Sequence, residues 1–513
     1  MTDDIARFHQ LKAHLPPIWE ALRSDQTFRH TSVIVSSLSV NQEELSKVVG
    51  ASFYEERLLF AIIRLRNPNA RVVYITSQPV REEIVDYYLQ LLDDVPLRHA
   101  RKRLHMISTC DASARPLTEK ILERPRLMAR VRELIDDPRR AYLTTYNSTP
   151  LERRLSVALG IPLNGVDPDL LFHGTKSGNR KIFAEAGIQF PAGFEDLRSE
   201  ADIVEALIRL GEQRPAMSRA VVKINEGFGG EGNGLFTYPE NRREPQAIAA
   251  QLQALERTSV NETYAAFMGK FAAMGGIVEE FVVNDEARSP SVQMRIVPDG
   301  EYQIVSSHEQ VLGGATGQSY LGCRFPAVDA YRLALLDDAE KIAAVLSRKG
   351  VIGRFAIDFL VCRDRGGQWQ PYAIEINVRM GGTTPPFYAL EFLTGGTLDR
   401  STGHFRSPDG HAKFYSATDN LKSPAYRGLL PEDLFEIAWR RDLNYRHATG
   451  TGALFYMIGA LSQFGKIGMV CIGNSAREAQ QIFEHAVAVL DDESAGDGHG
   501  VQTPLLDRFV GME

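Results

Sequence analysis

The stretch GRFAIDFLVCRDRGGQWQPYAIEINVRM, residues 353–380, alternates apolar and polar residues on both sides of a glycine pair. Such period-two runs read as half-buried strands, and Gly366-Gly367 between them suits a two-residue hairpin turn. That turn predicts Asp358 opposite Glu375 and Arg354 opposite Arg379. Ile374, Ile376 and Val378 then share the apolar face, while Glu375, Asn377 and Arg379 share the polar one. A four-residue loop would slide the pairing yet keep both acids on one face. Opposed carboxylates whose side chains start roughly 5 Å apart repel unless something positive lies between them. A hard cation resolves this, because Asp358, Glu375 and the Asn377 carbonyl are all oxygen ligands. Mg²⁺ normally completes its shell with water and phosphate oxygens, so the pattern implies a phosphate-bearing ligand. The plainer reading is a polar sheet face turned to solvent.

A second device lies upstream. GFGGEGNG fits GxGxxG at Gly227, Gly229 and Gly232, but the LFTYP after it reads as a strand, where a dinucleotide fold requires a helix. With Lys223 on the incoming strand AVVKIN, the segment reads instead as a glycine-rich hairpin. Its backbone N–H groups can close over phosphates while the lysine supplies a point charge. An ordinary surface hairpin is the alternative, although an unpaired ammonium in that apolar context is expensive. GGIVEEFV sets two acids at the end of an apolar strand, where backbone groups can hold an adenine edge or the acids can face water. In SVQMRIV, Arg295 shares a polar face with Ser291 and Gln293; it is either a solvated edge charge or a partner for an anionic substrate.

A chain of 513 residues is too long for one core, so two to four domains are expected. Hydrophobic residues at 44% and charged residues at 24% are ordinary for a globular protein. A net charge of −7 gives no basic footprint, which argues against nucleic acid as the main partner. The acidic start MTDDIARFHQ is unlike a signal or transit peptide, and no apolar run is long enough to span a bilayer. Four widely spaced cysteines give neither a disulfide framework nor a zinc site, so a cytoplasmic location is expected. TSVIVSSLSV, ARVVYITS, RLHMIST and RAYLTTY read as strands separated by helices. Asn41 and Glu44 offer a capping box for a helix running to Arg64, and Pro150 suits a first helical turn. This rhythm implies a doubly wound parallel sheet. Beyond residue 400 come the strands HAKFYSAT, GALFYMIGAL and KIGMVCIG, then a helix capped by Asn474 or Ser475.

Taken in order, HGTKSGNRKIFAEAGIQFP, AVVKINEGFGGEGNGLF, IVEEFV and the FAIDFLV–AIEIN pair resemble the ATP-grasp superfamily. NVRMGGTTPPF, YSATDNL and GTGALFYMIGALSQFGKIGMVCIGNS resemble its amide-forming branch named for the pheganomycin peptide ligase. The resemblance implies an α/β and α+β multidomain protein: a Rossmann-like pre-ATP-grasp domain (1–170), an ATP-grasp domain (171–400) with a glycine-rich lid about 195–282, and a small C-terminal α+β domain (401–513). It implies ATP and Mg²⁺, with Lys176 and Lys223 on the phosphates. Glu226, Gly227, Phe228, Gly229, Gly230 and Gly232 would cover them, and Glu279, Glu280, Phe281 and Val282 would form the adenine-binding connection. Asp358, Glu375 and Asn377 would hold the metal. Arg295 and Arg379 would meet the substrate carboxylate and the tetrahedral intermediate, with Lys223 counted in the catalytic set. The family pattern has His where Pro385 stands. The implied activity is ATP-dependent joining of a small carboxylate to an amino acid or peptide amine through an acyl phosphate, as in natural product biosynthesis, with a homodimer as a candidate assembly. A small-molecule kinase, a carboxylase or a non-catalytic nucleotide-binding regulator are the competing expectations.

Overall fold

The structure, a computed structural model, describes residues 2–40, 49–92, 94–227, 232–258, 262–282, 286–313, 319–364 and 366–494. Among these residues the strands form three sheets. Strands β1 (His30–Val35), β2 (Ala70–Thr76), β3 (Leu104–Ser108) and β4 (Ala141–Thr145) are parallel and lie in the order β3-β2-β1-β4. Thr149 caps the Pro150–Leu159 helix in a reciprocal capping box with Glu152, and Pro150 occupies the first turn, where its missing N–H is no loss. The capping box expected at Asn41 and Glu44 lies outside the described residues. The segment leading to Arg64 differs from the expected helix: Ala51–Arg66 is a 3-10 helix entered from Gly50 in the left-handed region at φ 72°. Its residues from Glu55 to Ile63 are all buried, so tertiary packing rather than helix propensity sets its winding.

Five antiparallel strands, β5 (Gly193–Leu197), β6 (Arg219–Ile224), β7 (Asn233–Thr237), β8 (Glu256–Arg257) and β9 (Gly276–Glu280), form a second sheet in the order β5-β9-β6-β7-β8. Ile203, Leu207 and Leu210 of the Glu200–Gln213 helix and Phe267 and Phe271 of the Tyr264–Met274 helix pack on Val222 and Phe236 to give this unit its own core. The glycine-rich segment joins β6 to β7, with Lys223 opposite Asn233.

The third sheet carries β10 (Ala287–Arg288), β11 (Pro290–Ile296), β12 (Tyr302–Gly313), β13 (Ser319–Phe325), β14 (Gly353–Arg363), β15 (Trp369–Asn377), β16 (Thr397–Asp399), β17 (His404–Arg406), β18 (Ala412–Lys422), β19 (Gly452–Tyr456) and β20 (Lys466–Gly473). Because β13 pairs with β18, the strands after residue 401 continue this central sheet. They also close against the first unit. Tyr87 stacks on Phe435 with ring centroids 5.1 Å apart, and its hydroxyl accepts the Phe455 N–H at 2.9 Å.

The β14–β15 hairpin sets Asp358 opposite Glu375, but not by the expected route. The turn is centred on Gly366: Arg363 pairs with Trp369, the Asp364 N–H donates to the Gln368 carbonyl at 2.9 Å, and Gly367 takes a left-handed φ of 78°. A β-bulge at Ile374 then restores the missing residue, so that Phe359 faces Ala373 while Asp358 faces Glu375. Ala373, Ile376 and Val378 are consequently the buried residues, and Ile374, expected among them, is only partly covered. The expected Arg354–Arg379 pair does not form, because the ladder ends at Ala356–Asn377; Arg354 instead faces Arg295 of β11. Pro385 and Pro386 open the Thr384–Thr394 helix, a position where proline is at home.

Candidate active site

The two hairpin acids meet a lysine from another element. Lys176 Nζ lies 2.5 Å from Glu375 Oε1. Lys176 begins the Lys176–Ala186 helix, whose N-cap Thr175 accepts the Gly178 N–H at 3.0 Å. The Lys176 N–H donates to the Asn225 carbonyl at 3.2 Å and the Ser177 N–H to Asn225 Oδ1 at 2.9 Å, which ties this helix start to the end of β6. Gln310 Nε2 donates to Asp358 Oδ1 at 2.7 Å, and Asn377 Nδ2 to Asp358 Oδ2 at 2.9 Å. Burial, and then the charge of Glu375, push Asp358 up to about 7. Burial acts on Glu375 in the same sense, but Lys176, Lys223 and Arg379 outweigh it and hold Glu375 below the usual carboxylate range.

A second set of pairs adjoins the first. Lys223 Nζ lies 2.5 Å from Glu279 Oε1, and Arg180 Nη1 is 3.5 Å from Glu279 Oε2. Lys223 on β6 and Glu279 on β9 are diagonal neighbours in the ladder, where Val221 faces Glu279 and Lys223 faces Ile277. Arg180 stands one helical turn after Lys176 and also reaches Glu195 at 3.0 Å. Glu280 turns away toward Arg214 at 3.1 Å. The Phe281 ring lies 4.5 Å from the Arg219 guanidinium, and Val282, next along the chain, is half-buried. Glu226 and Gly227 leave β6, and the Gly232 carbonyl accepts the Ile224 N–H at 2.9 Å to close the hairpin. Phe228, Gly229 and Gly230 lie outside the described residues.

The Arg379 N–H donates to the Asn377 carbonyl at 2.7 Å, and the Arg379 charge acts on both acids. Arg295 is placed elsewhere. It faces Arg354, whereas Ser291 faces Asp358, so Arg295 stands four residues, roughly 13 Å, along the sheet from the acid pair. The structure therefore gathers Lys176, Lys223, Glu279, Asp358, Glu375, Asn377 and Arg379, and sets Arg295 apart from them. Arg180, Asn225 and Gln310 belong to the cluster without being among the expected residues. Only Arg180 carries a sequence signal, its spacing of four from Lys176.

The donor set fits a hard cation: two opposed carboxylates and an amide on one sheet face, with the Lys176 ammonium now bearing on Glu375. Elsewhere His9, Asp167 and Asp169 converge, but Arg153 bridges both aspartates at 3.2 and 2.6 Å and already neutralises them. A cavity of about 560 Å³ lies away from the cluster, beyond the carboxyl ends of β1, β2 and β3, lined in part by Glu55, Glu56 and Lys120. Its two acids, pushed up to about 7 chiefly by burial, are already engaged by Ser77 and by the Gly459 N–H. The acid–lysine cluster is the better candidate because its charges come from three elements that converge on one sheet face.

Residues 170–238 and 237–401 match the family model described as IQCH-like, ATP-grasp, and residues 433–485 match the PGM1 C-terminal domain. Over 467 residues the chain is 30% identical to the L-propargylglycine–L-glutamate ligase of Streptantibioticus cattleyicolor, covering 90% of this chain and 94% of that one. The chain belongs to the ATP-grasp family. The ATP-grasp match covers both the Lys176 helix and the β14–β15 hairpin, so every member of the acid–lysine cluster falls inside it. A 23% identity to IQ motif-containing protein H of Danio rerio spans 79% of this chain but only 42% of that protein. The biotin carboxylase–β-γ-ATP complex from Campylobacter jejuni superposes with a TM-score of 0.54 at 13% identity, covering 90% of this chain and 92% of that one. The biotin carboxylase domain of Hydrogenobacter thermophilus 2-oxoglutarate carboxylase, solved with MgADP, ADP and bicarbonate, gives 0.53 at 11%, covering 91% and 94%. These two likenesses are of fold. The chain is thus an ATP-grasp enzyme of the ligase class, and among the described residues no helix is long and apolar enough to cross a membrane.

Proposed function

We propose that this chain is an ATP-dependent carboxylate–amine ligase that activates a small carboxylate as its acyl phosphate and joins it to the amine of an amino acid or peptide. The observation that carries the reading is the Lys176–Glu375 contact. It sets a cation from a helix start on the acid pair of the hairpin, with Lys223 and Arg379 close enough to act on the same carboxylate. A phosphate chain entering there meets two lysines, which exchange their carboxylate partners for phosphate oxygens. The resemblance would have the glycine-rich loop after Lys223 close over that chain, and the backbone of Glu279 to Val282 would border the base. Asp358, Glu375 and the Asn377 carbonyl would hold Mg²⁺, which when bound supplies charge neutralisation on the phosphates.

Atoms and electrons balance in two steps. A carboxylate oxygen attacks the γ-phosphorus, and the bond to the bridging oxygen breaks with ADP leaving. The amine then attacks the acyl carbon; a C–N bond forms, the C–O bond to phosphate breaks, and the proton lost by the amine leaves on the departing phosphate. Arg379 stands where the oxyanion of that second step develops. Closure of the five-stranded unit over the hairpin excludes the water that would hydrolyse the acyl phosphate. On this reading residues 1–170 and 401–513 wall the substrate mouth and 171–400 carry the chemistry. A relative whose name contains propargylglycine, a non-standard amino acid, supports a place in specialised amino-acid or peptide metabolism. The test is ADP release over pairs of acids and amines, with mass detection of the product. Release should require both partners and vanish in Glu375→Gln, and a Glu375→Gln protein with full activity would remove the basis of the reading.

A further inference from the structure

We propose that Arg295 and Arg354, with Arg64 adding positive charge, bind a second carboxylate of the substrate, distinct from the one that reacts; this rests on the ligase reading above. The two arginines face each other directly in the β11–β14 ladder, an arrangement in which like charges destabilise the sheet. Arg64, from the 3-10 helix of the first unit, adds a third positive charge that acts on Arg295. Among the described residues one carboxylate, Glu391, stands against these three guanidinium groups, 3.1 Å from Arg354 Nη2. Burial and the charge of Arg354 push Arg295 down to about 10.

The donors are also unspent. The Arg354 side chain is 9% exposed, and its Nη1 is buried without a hydrogen-bond partner among the described residues. Arg295 makes no hydrogen bond or ion pair with a described residue; its guanidinium lies 4.3 Å from the Trp19 ring. Gln293, two residues before Arg295 on the same face, accepts from the Thr384 hydroxyl at 3.0 Å and leaves its amide nitrogen buried and unpartnered. A half-buried Arg295 guanidinium without an ion pair and the buried Arg354 Nη1 and Gln293 Nε2 donors left unpartnered are costly, and an anion with two acceptor oxygens satisfies them. A carboxylate matches the guanidinium fork in a bidentate manner.

Position separates this site from the reacting one. Asp358, Ala356 and Arg354 alternate on one face of β14, as do Ser291, Gln293 and Arg295 on β11, so the arginines share the sheet face of the acid pair. At roughly 13 Å between Cα positions they are too distant to touch a carboxyl group held beside the acid pair. They are within reach of the far end of a substrate bearing two carboxylates, an amino diacid or a short peptide. Arg64 comes from the first unit, which gives that unit a part in selecting the substrate.

The experiment uses the full chain with Mg²⁺ and a non-hydrolysable ATP analogue, titrated calorimetrically with glutarate, with pentanoate, which lacks one carboxylate, and with inorganic phosphate. Glutarate should bind more tightly than pentanoate by roughly thirtyfold or more. Arg295→Gln, which removes no hydrogen bond of the fold, and Arg354→Met should each reduce that preference to about threefold or less and leave pentanoate binding unchanged. Equal binding of glutarate and pentanoate, or an Arg295→Gln protein that keeps the preference, overturns the proposal. So does Arg295-dependent binding of phosphate without binding of glutarate. Amide formation without a glutarate preference refutes this site alone. An arginine-dependent glutarate preference in a protein that releases no ADP with any acid–amine pair supports the site and refutes the ligase reading.

Discussion

Glu279 and Glu280 are adjacent acids on one strand, and the structure gives them very different energetic weight. Glu279 is 5% exposed and pairs with Lys223, itself 12% exposed, and with Arg180 at 6%. Glu280 pairs with Arg214, whose side chain is 57% exposed. Replacing Glu279 by Gln leaves two buried cations short of a counter-charge. Arg180 keeps Glu195 at 3.0 Å and the Pro191 carbonyl at 2.8 Å, so its loss is partial. Lys223 has no other ion pair among the described residues. Breaking a buried pair costs about 3–5 kcal/mol, and the amide oxygen of Gln can still accept one hydrogen bond worth about 1, so a loss of roughly 2–4 kcal/mol is expected. Glu280→Gln should cost less than about 1 kcal/mol. Urea unfolding of both variants, followed by circular dichroism, measures the contrast. Adding an ATP analogue sharpens it: phosphate oxygens that take over Lys223 should return part of the Glu279→Gln loss, so the analogue stabilises that variant more than the parent. Equal losses for the two variants, or an analogue that stabilises parent and variant alike, would refute the assignment of Lys223 to a buried exchangeable pair.

Single positions elsewhere give two further expected outcomes. A Cβ on Gly178 would fall 1.9 Å from the Phe172 carbonyl oxygen, so Gly178→Ala must shift the helix start that carries Lys176; turnover by ADP release should drop roughly a hundredfold, whereas Gly187→Ala, at a left-handed C-cap in open space, should cost about 1 kcal/mol and spare turnover. His308 is buried against the Tyr415 hydroxyl at 2.6 Å, and burial pushes it down to about 3. Its folded pKa lies below that of the unfolded chain, so stability falls as pH drops from about 6.5 toward 3, by about 2 kcal/mol between pH 7 and 5 for this group. Urea titrations at both pH values should show that share of the loss gone in His308→Phe, and an unchanged pH dependence would contradict the burial argument.

What is legible in the sequence divides from the rest along a physical line. Alternation within one strand pair places Asp358 opposite Glu375 because burial of Ala373 and Ile376 against Phe359 and Ile357 fixes which face each acid takes, whatever the turn does. The turn itself departs from the expected centre between Gly366 and Gly367 and lies on Gly366, and the bulge at Ile374 cancels the difference. Two departures of one residue each thus leave the acid pair where the pattern puts it, which shows the hydrophobic face to be the stronger determinant of register. Arg354 marks the limit of that reasoning. Its neighbour across the sheet is set by β11, more than fifty positions earlier in the chain, and no local periodicity encodes a pairing between strands so far apart. The same holds for the Lys176–Glu375 contact, which joins a helix start to a strand nearly two hundred residues later. Each residue type is legible as a candidate; which candidates meet is a property of the tertiary fold. The separation of Arg295 from the acid pair therefore carries the most new information about function, since it turns one catalytic assignment into a question of which substrate spans the distance.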